Sequence, residues 1–415
     1  MKKRLDLVMD IGEQMLINGA EVHRVEDTVS RICYALGAKR VDVFIITSSM
    51  LLTLHDENGI AYTQTRRIEV KGNDFNKISK LNALSRKICS TKTCMSFEQI
   101  KDELNTITQD TIYPYLVECF AYVLIACAFT LFFGGNVVQS IVAGFIGLVV
   151  RFVTLFADKY LGNKIFSKFI ASFVISLLSF LFLKLKIVTC IDHIVIGNIM
   201  VLIPGIGLTN SIRDLFTGDS LSGSLRFIEA LLTAFGIAMG YVVCIFIFGT
   251  TTELCQETFL QGIPNSILQI ITGMLGSFGF GLLFNIKGKH LIAVSLGGGF
   301  AWAICILLEV LTKNEFLSYF AVSILVSLYA EVMARLLKSP TTVFITPSLI
   351  PLIPGASLYY TMRSMFGGTA INFIDKAVVT VELASALALG VIVSTAIFKI
   401  INKLKFLRKL NKNRS

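Results

Sequence analysis

A Pro-Gly pair interrupts an apolar run twice in this 415-residue chain, at a fixed offset of 150 residues. Over residues 202–219 and 352–369, eight of eighteen positions are identical: Leu202/Leu352, Ile203/Ile353, Pro204/Pro354, Gly205/Gly355, Leu208/Leu358, Arg213/Arg363, Phe216/Phe366 and Gly218/Gly368. Proline lacks an N–H and its ring clashes with the preceding turn, so an apolar helix cannot run through unbroken. Glycine then lets the backbone leave helical geometry. In hydrocarbon the freed backbone groups must face protein or a water-filled cavity. Broken apolar segments at matching places in two halves of a chain point to a transporter binding site.

Composition sets the environment of these breaks. The chain is 54% hydrophobic, 16% charged and has a mean hydropathy of +0.71, against about 25% charged in a soluble chain. It reads as a polytopic α-helical membrane protein with a soluble part. The net charge of +10 is uneven. Residues 1–112 carry 16 basic and 15 acidic side chains, whereas the tail from Lys399 carries seven basic and no acidic ones. Positive charge beside apolar spans sets topology and meets anionic lipid. Nucleic acid is a poor explanation for it. The nine cysteines show no zinc-type spacing and read as reduced thiols, with no metal site. The first residues are too polar for a secretory signal. No G-x-x-x-x-G-K-[ST] motif occurs, so no nucleotide cofactor is expected and energy would come from an ion or proton gradient.

Residues 1–112 predict a small α/β domain on the cytoplasmic side. Leu5 to Ile17 is amphipathic, and Asn18 with Glu21 three residues later has the capping-box spacing of a second helix running to about Leu36. Strand patterns follow over 41–47, 51–55 and 60–70, with Asn58-Gly59 as a hairpin turn. Two more helices are expected over 74–89 and 96–107. His23, His55, Asp56, Ser48 and Ser49 have no spacing that marks a hydrolase, and no catalytic residue is assigned. Glu21, Arg24, Glu26 and Asp27 form a charged cluster. It is either a solvated helix face or a docking or gating surface beneath the membrane part.

Residues 113–415 contain ten apolar runs of about 20 residues, the length that crosses a bilayer. They divide into a first five-helix module over 113–250 and a second over 264–402, followed by a basic tail over 403–415. With the N-terminal domain in the cytosol, predicted cytoplasmic loops and tail carry 16 Lys/Arg and the opposite loops five. That bias supports ten spans with both termini cytoplasmic. Five is odd, so similar successive halves enter the membrane in opposite senses as an inverted repeat.

Candidate site residues follow from this arrangement. Pro204, Gly205, Pro354 and Gly355 break the fourth span of each half, and Asn210 adds polarity beside the first break. Arg213 and Arg363 are interfacial anchors, recognise an anion, or form gate pairs with Asp214 or Glu382. The fifth span of each half carries an acid read as buried, Glu229 and Glu382. An acid within a span is costly to keep charged and becomes a proton-carrying candidate. Glu118 and Arg151 should pair across the first two spans. The run Gly297-Gly298-Gly299 permits close helix packing.

Gly19-Ala-Glu-Val-His-Arg-Val-Glu26 and the motif over 201–226 resemble signatures of the bacterial threonine/serine exporter family. The resemblance covers almost the whole chain. The second Pro-Gly copy resembles a partner module that some bacteria encode separately, fused here to the first. The resemblance implies a proton-motive-force-driven exporter of small hydrophilic amino acids in the bacterial inner membrane. Its implied partners are a small carboxylate-bearing solute and protons, with oligomeric state open, a homo-oligomer included. Split-gene relatives are associated with dicarboxylates such as succinate, an alternative substrate class. A membrane-anchored enzyme or sensor acting through residues 1–112 is the alternative of a different kind.

Overall fold

A computed structural model describes residues 2–68, 72–90, 95–110, 113–248, 263–367 and 370–412, with side chains beyond residue 401 outside the description. Most of the loop expected at 249–264, and the side chains of the basic tail, therefore lie outside the described residues. The chain divides into two units.

The first unit comprises Met1–Tyr115 with two later segments, Gly281–Leu291 and Ala334–Val343. Helix α1 (Lys2–Ile17) and helix α2 (Val22–Ala35) pack together through apolar stripes that include Val8, Ile11 and Met15 on one and Val25, Val29 and Ile32 on the other. Strands β1 (Arg40–Ile46), β2 (Ser49–His55) and β3 (Ala61–Arg67) form an antiparallel meander in that order. Alternation along β2 buries Met50, Leu52 and Leu54. Gly12 admits this sheet, since a Cβ there would lie 2.8 Å from Met50 Sδ. Asp56 closes the β2–β3 turn by accepting from the backbone N–H groups of Asn58 and Ile60, both at 2.9 Å, and Gly59 takes φ +79°. The Asn-Gly hairpin signal is thus realised.

The expected capping box at Asn18 is not formed. Asn18 turns its amide back to Gln14 O at 2.6 Å, and Glu21 itself is the N-cap of α2, without a side-chain capping bond. The box forms instead at Ser96 and Gln99, which open helix α4 (Phe97–Gln109). Asp74 caps helix α3 (Phe75–Ile88) by accepting from Lys77 N at 2.9 Å.

The later segments of the unit join it through polar contacts. Asn285 Nδ2 donates to Asp74 Oδ2 at 3.0 Å, Phe75 N to Phe284 O at 2.9 Å and Tyr113 Oη to Ile286 O at 2.9 Å. Arg24 Nη1 donates to Thr342 Oγ1 at 3.3 Å and Arg86 Nη2 to Lys338 O at 3.1 Å. Within the charged cluster of α2, Glu21 lies 3.6 Å from His23 and Glu26 accepts from Ile45 N at 3.1 Å. These side chains tie elements together, beyond covering a solvated face.

The second unit holds the apolar helices. In order they are α5 (Tyr115–Phe132), α6 (Val137–Leu161), α7 (Lys164–Lys184), α8 (Asp192–Ile199), α9 (Gly205–Thr217), α10 (Ser220–Phe248), α11 (Ile263–Leu283), α12 (Gly288–Thr312), α13 (Glu315–Leu336), α14 (Thr342–Ser348), α15 (Gly355–Gly367) and α16 (Ala370–Lys412). Helices α11 to α16 begin 148 to 151 residues after α5 to α10, each after its counterpart. Among the described residues, eight helices are long and apolar enough to cross a membrane, or nine if the bent pair Thr342–Ser348 and Ile350–Thr361 counts as one. The expected fourth and ninth spans are the segments that are not single helices.

Close approach in this unit uses small residues. A Cβ on Gly240 would lie 2.3 Å from Phe169 O, so α10 packs on α7 nearly backbone to backbone. The Gly297–Gly299 run serves the same end, with Gly297 against Ser348 and Gly298 against Ser277. Arg151 donates to Glu118 as expected, with its guanidinium 5.5 Å from the Tyr122 ring centre. The expectation of reduced thiols throughout is corrected at one position. Cys190 is disulfide-bonded, while Cys33, Cys89, Cys119, Cys127, Cys244 and Cys305 are free.

Burial pushes the Asp74 carboxyl above its ordinary value, although the Lys77 N–H and Asn285 amide oppose that shift. An acid with a raised folded-state value loses stability as pH rises from the ordinary carboxylate range through the raised value. Asp74→Asn keeps a cap acceptor and removes the charge. It should leave neutral-pH stability unchanged or higher and flatten that pH slope. Asp74→Ala should cost about 1 kcal/mol, read by denaturant melts of the full chain in detergent.

Candidate functional site

Each Pro-Gly pair restarts a helix. After α8, the N–H groups of Leu202 and Ile203 both return to Ile199 O, at 2.7 and 2.9 Å, and the chain leaves helical geometry. Pro204 becomes the N-cap of α9, its carbonyl accepting from Leu208 N at 2.9 Å. In the second copy a short 3-10 turn at Ile350–Leu352 follows α14, Ile353 is extended, and Pro354 O accepts from Leu358 N at 3.0 Å. The two Pro-Gly pairs therefore open α9 and α15 in the same way.

The breaks meet. A Cβ on Gly205 would lie 2.1 Å from Ile353 Cγ2, and one on Gly355 would lie 2.6 Å from Met200 Sδ and 3.6 Å from Ile203 Cδ1. The contact is reciprocal, since Gly205 faces Ile353 and Gly355 faces Ile203, as across a two-fold axis. Helix α9 also packs on both α10 and α16, through Leu208, Ile212, Ala230, Ala384 and Ala388.

Two cavities flank the meeting point. The larger, of about 30 Å³, is lined by Ile206, Thr209, Asn210 and Arg213 from α9. Its opposite wall is Ile345, Thr346, Leu349 and Ile353 around the second break, with Leu387, Ala388 and Val391 from α16. The smaller has no room for a water molecule and is lined by Ile199, Ile237, Ala238, Tyr241, Tyr359 and Arg363. Adding or subtracting 150 turns each of these six into a residue of the larger cavity: Leu349, Leu387, Ala388, Val391, Thr209 and Arg213. The two cavities are thus one site built twice. Tyrosines replace a valine and a threonine in the smaller copy, and their rings meet edge to face at 5.7 Å.

The charges differ between the copies. Arg363 Nη1 donates to Asp192 Oδ2 at 2.6 Å and Tyr359 Oη to Asp192 Oδ1 at 3.3 Å, with Asp192 3% exposed. Arg213 lies 3.8 Å from Asp214 Oδ1, and Arg226 Nη1 lies 3.2 Å from Asp214 Oδ2. Thr209 Oγ1 is buried beside the larger cavity with no hydrogen-bond partner among the described residues.

Pro204, Gly205, Pro354 and Gly355 thus meet at one point, and Asn210 and Arg213 line the larger cavity. Arg213 lies beside Asp214, one of the expected pairings, whereas Arg363 bonds Asp192, a partner outside the expected set. Glu229 and Glu382 are not covered by protein and stand on outward positions of α10 and α16. The buried stripe of α10 runs through Ala230, Ala234, Ile237 and Tyr241, and Glu229 lies one residue, about 100° of helix rotation, away from it. Asp192, Tyr241 and Tyr359 escaped sequence reasoning. Asp192 stands at the edge of the fourth apolar run, where it reads as a loop residue, whereas it opens α8. The signal was an Asp-His pair inside an otherwise apolar run.

Gly205→Ala should force Ile353 to move and destabilise the chain by about 1–3 kcal/mol, the usual cost of overpacking. Ile353→Ala removes the clashing methyl, so the double variant should lose less than the sum of the two singles. Additive losses in thermal melts would mean that the breaks do not touch.

Comparison with known proteins extends this geometry. The family model described as "Putative threonine/serine exporter" matches residues 6–248, and that described as "Threonine/Serine exporter" matches residues 269–397. A relative named "Threonine/serine exporter" from Corynebacterium glutamicum is 22% identical over 94% of this chain and 81% of its own length. One named "Probable threonine/serine exporter" from Mycobacterium tuberculosis is 21% identical over 94% of this chain and 76% of its own. One named "Probable succinate transporter subunit YjjP" from Escherichia coli is 25% identical over 59% of this chain and 94% of its own. No solved structure matches the chain. With both cavities lying in a multi-pass apolar unit and a family model spanning more than half of the sequence, the chain belongs to the threonine/serine exporter family.

Proposed function

We propose that this chain is a secondary exporter of threonine and serine, driven by the proton motive force, and that the larger cavity binds the substrate. The observation that carries this reading is the pair of equivalent cavities at two facing helix breaks, one larger and one filled by tyrosines. Alternating access needs one site with two related environments. The reciprocal break contacts and the 150-residue spacing of elements support two repeats of opposite orientation, hence ten crossings with both broken segments counted. Disulfides persist on the oxidising side of a cell membrane. The bonded Cys190, between α7 and α8, therefore supports cytoplasmic termini and an external α7–α8 connection, in agreement with the charge bias of the loops. The basic tail then meets anionic lipid at the inner face of the bacterial cell membrane.

Recognition follows from the lining. Arg213 takes the substrate carboxylate by a charge-assisted bond, and the unpartnered Thr209 hydroxyl supplies a second donor. Asn210 and Thr346 suit the hydroxyl of threonine or serine. Succinate would bring two carboxylates to a lining that offers one arginine, so the single-carboxylate substrate fits better. Among the acids of this unit, Asp192 and Asp214 are buried and Glu229 and Glu382 are exposed. Glu229 and Glu382 lie within the apolar spans of α10 and α16 and are kept as proton-carrying candidates.

Counterflow of labelled threonine, serine and succinate in proteoliposomes tests the proposal. Threonine and serine should move and a pH gradient should drive them. Arg213→Gln should lower flux about 10–100-fold, matching the loss of a hydrogen bond to a charged group, and Glu229→Gln and Glu382→Gln should uncouple flux from the gradient; coupled flux left intact in both would remove the carboxylate roles. No flux of any carboxylate would sink the exporter reading. Flux indifferent to the gradient would remove proton coupling, and a preference for succinate would transfer the substrate to the dicarboxylates.

A further inference from the structure

The smaller cavity has tyrosines where the larger has Thr209 and Val391, and its Arg363 bonds Asp192 from α8, whereas Arg213 of the larger lies 3.8 Å from its chain neighbour Asp214. At the position that the repeat assigns to Asp192, the second copy has Thr342. Asp192 sits on Arg363 and on the hydroxyl of Tyr359. The counterparts of those two donors are Arg213 and Thr209 in the larger cavity, where the Thr209 hydroxyl has no acceptor among the described residues. One arginine and one hydroxyl hold a carboxylate in one copy. The same two positions line the larger cavity in the other.

We propose that Arg363 and Tyr359 form a second carboxylate-binding site, latent because the chain's own Asp192 carboxylate occupies it. Asp192 is an internal stand-in for the carboxylate of a small amino or carboxylic acid. During turnover the substrate and Asp192 exchange on Arg363, so that the twin sites alternate between an external and an internal carboxylate. A guanidinium buried without a carboxylate is costly. Asp192 lifts that cost when no substrate is present and competes with the substrate when it is. This inference rests on the reading of the larger cavity as a carboxylate site and adds the second site and its competitor.

Binding to the purified full chain tests it, with acetate and labelled L-threonine as probes. Asp192→Asn keeps the side-chain shape and removes the charge. It should bind one further threonine per chain and show a larger rise in melting temperature with acetate than the unsubstituted chain. Adding Arg363→Gln should abolish both gains, which a merely structural role of Asp192 would not predict. Tyr359→Phe keeps the ion pair and removes one donor to Asp192. It should show a smaller acetate response of the same sign, and it serves if Asp192→Asn does not accumulate. Threonine binding that depends on Arg213, with no gain in either variant, would overturn the second site and leave the exporter reading standing. Binding that appears in Asp192→Asn through Arg363, with no transport by the unsubstituted chain, would do the reverse. Absence of binding in every variant overturns the second site as well.

Discussion

The unpaired backbone at the two Pro-Gly breaks is the constraint on which the membrane unit depends. A helix interrupted inside an apolar segment leaves N–H and carbonyl groups that lipid cannot satisfy. Pro204 and Pro354 create that problem, and the chain answers it by placing each break against the other. Gly205 and Gly355 make the approach feasible, because neither spot leaves room for a Cβ. Once the breaks face one another, α9 must pack against both α10 and α16, and cavities form on either side of the contact.

Duplication then explains the site. A segment copied at a 150-residue spacing supplies the same polar groups twice, so the arginines arrive in matched positions. The copies diverge at few places, and those places decide the chemistry. Tyr359 and Tyr241 fill a volume that Thr209 and Val391 leave, and Asp192 supplies a carboxylate where the other repeat has Thr342. Buried ion pairs contribute little net stability relative to apolar packing. Keeping Asp192 on Arg363 is better understood as specifying a state than as stabilising the fold.

Much of this was legible in the residues. The broken segments, Asn210 and Arg213 beside the first break, and the Glu118–Arg151 pair follow from spacing and apolar runs, because a membrane makes polar groups conspicuous. Glu229 and Glu382 show where that logic fails. An acid inside an apolar run does not reveal which way its helix faces. One residue of rotation separates the buried stripe of α10 from its outer surface. Asp192 was missed for the complementary reason. A charged residue at the end of a span is indistinguishable from a loop residue until the arginine it meets, 171 positions later, is located.

The sequence by itself determined the membrane class, the family, the duplicated breaks and the residues that flank them, since each is a property of local composition or of a fixed spacing along the chain. Only the tertiary structure decided that the breaks touch, that the cavities have equivalent linings, and that one of them is lined by two tyrosines with its arginine bonded to Asp192. Those facts depend on helix rotation and on contacts between residues far apart in the chain. The physical reason is that the repeat specifies which groups exist in each half, whereas packing across the reciprocal contact specifies which half each group serves.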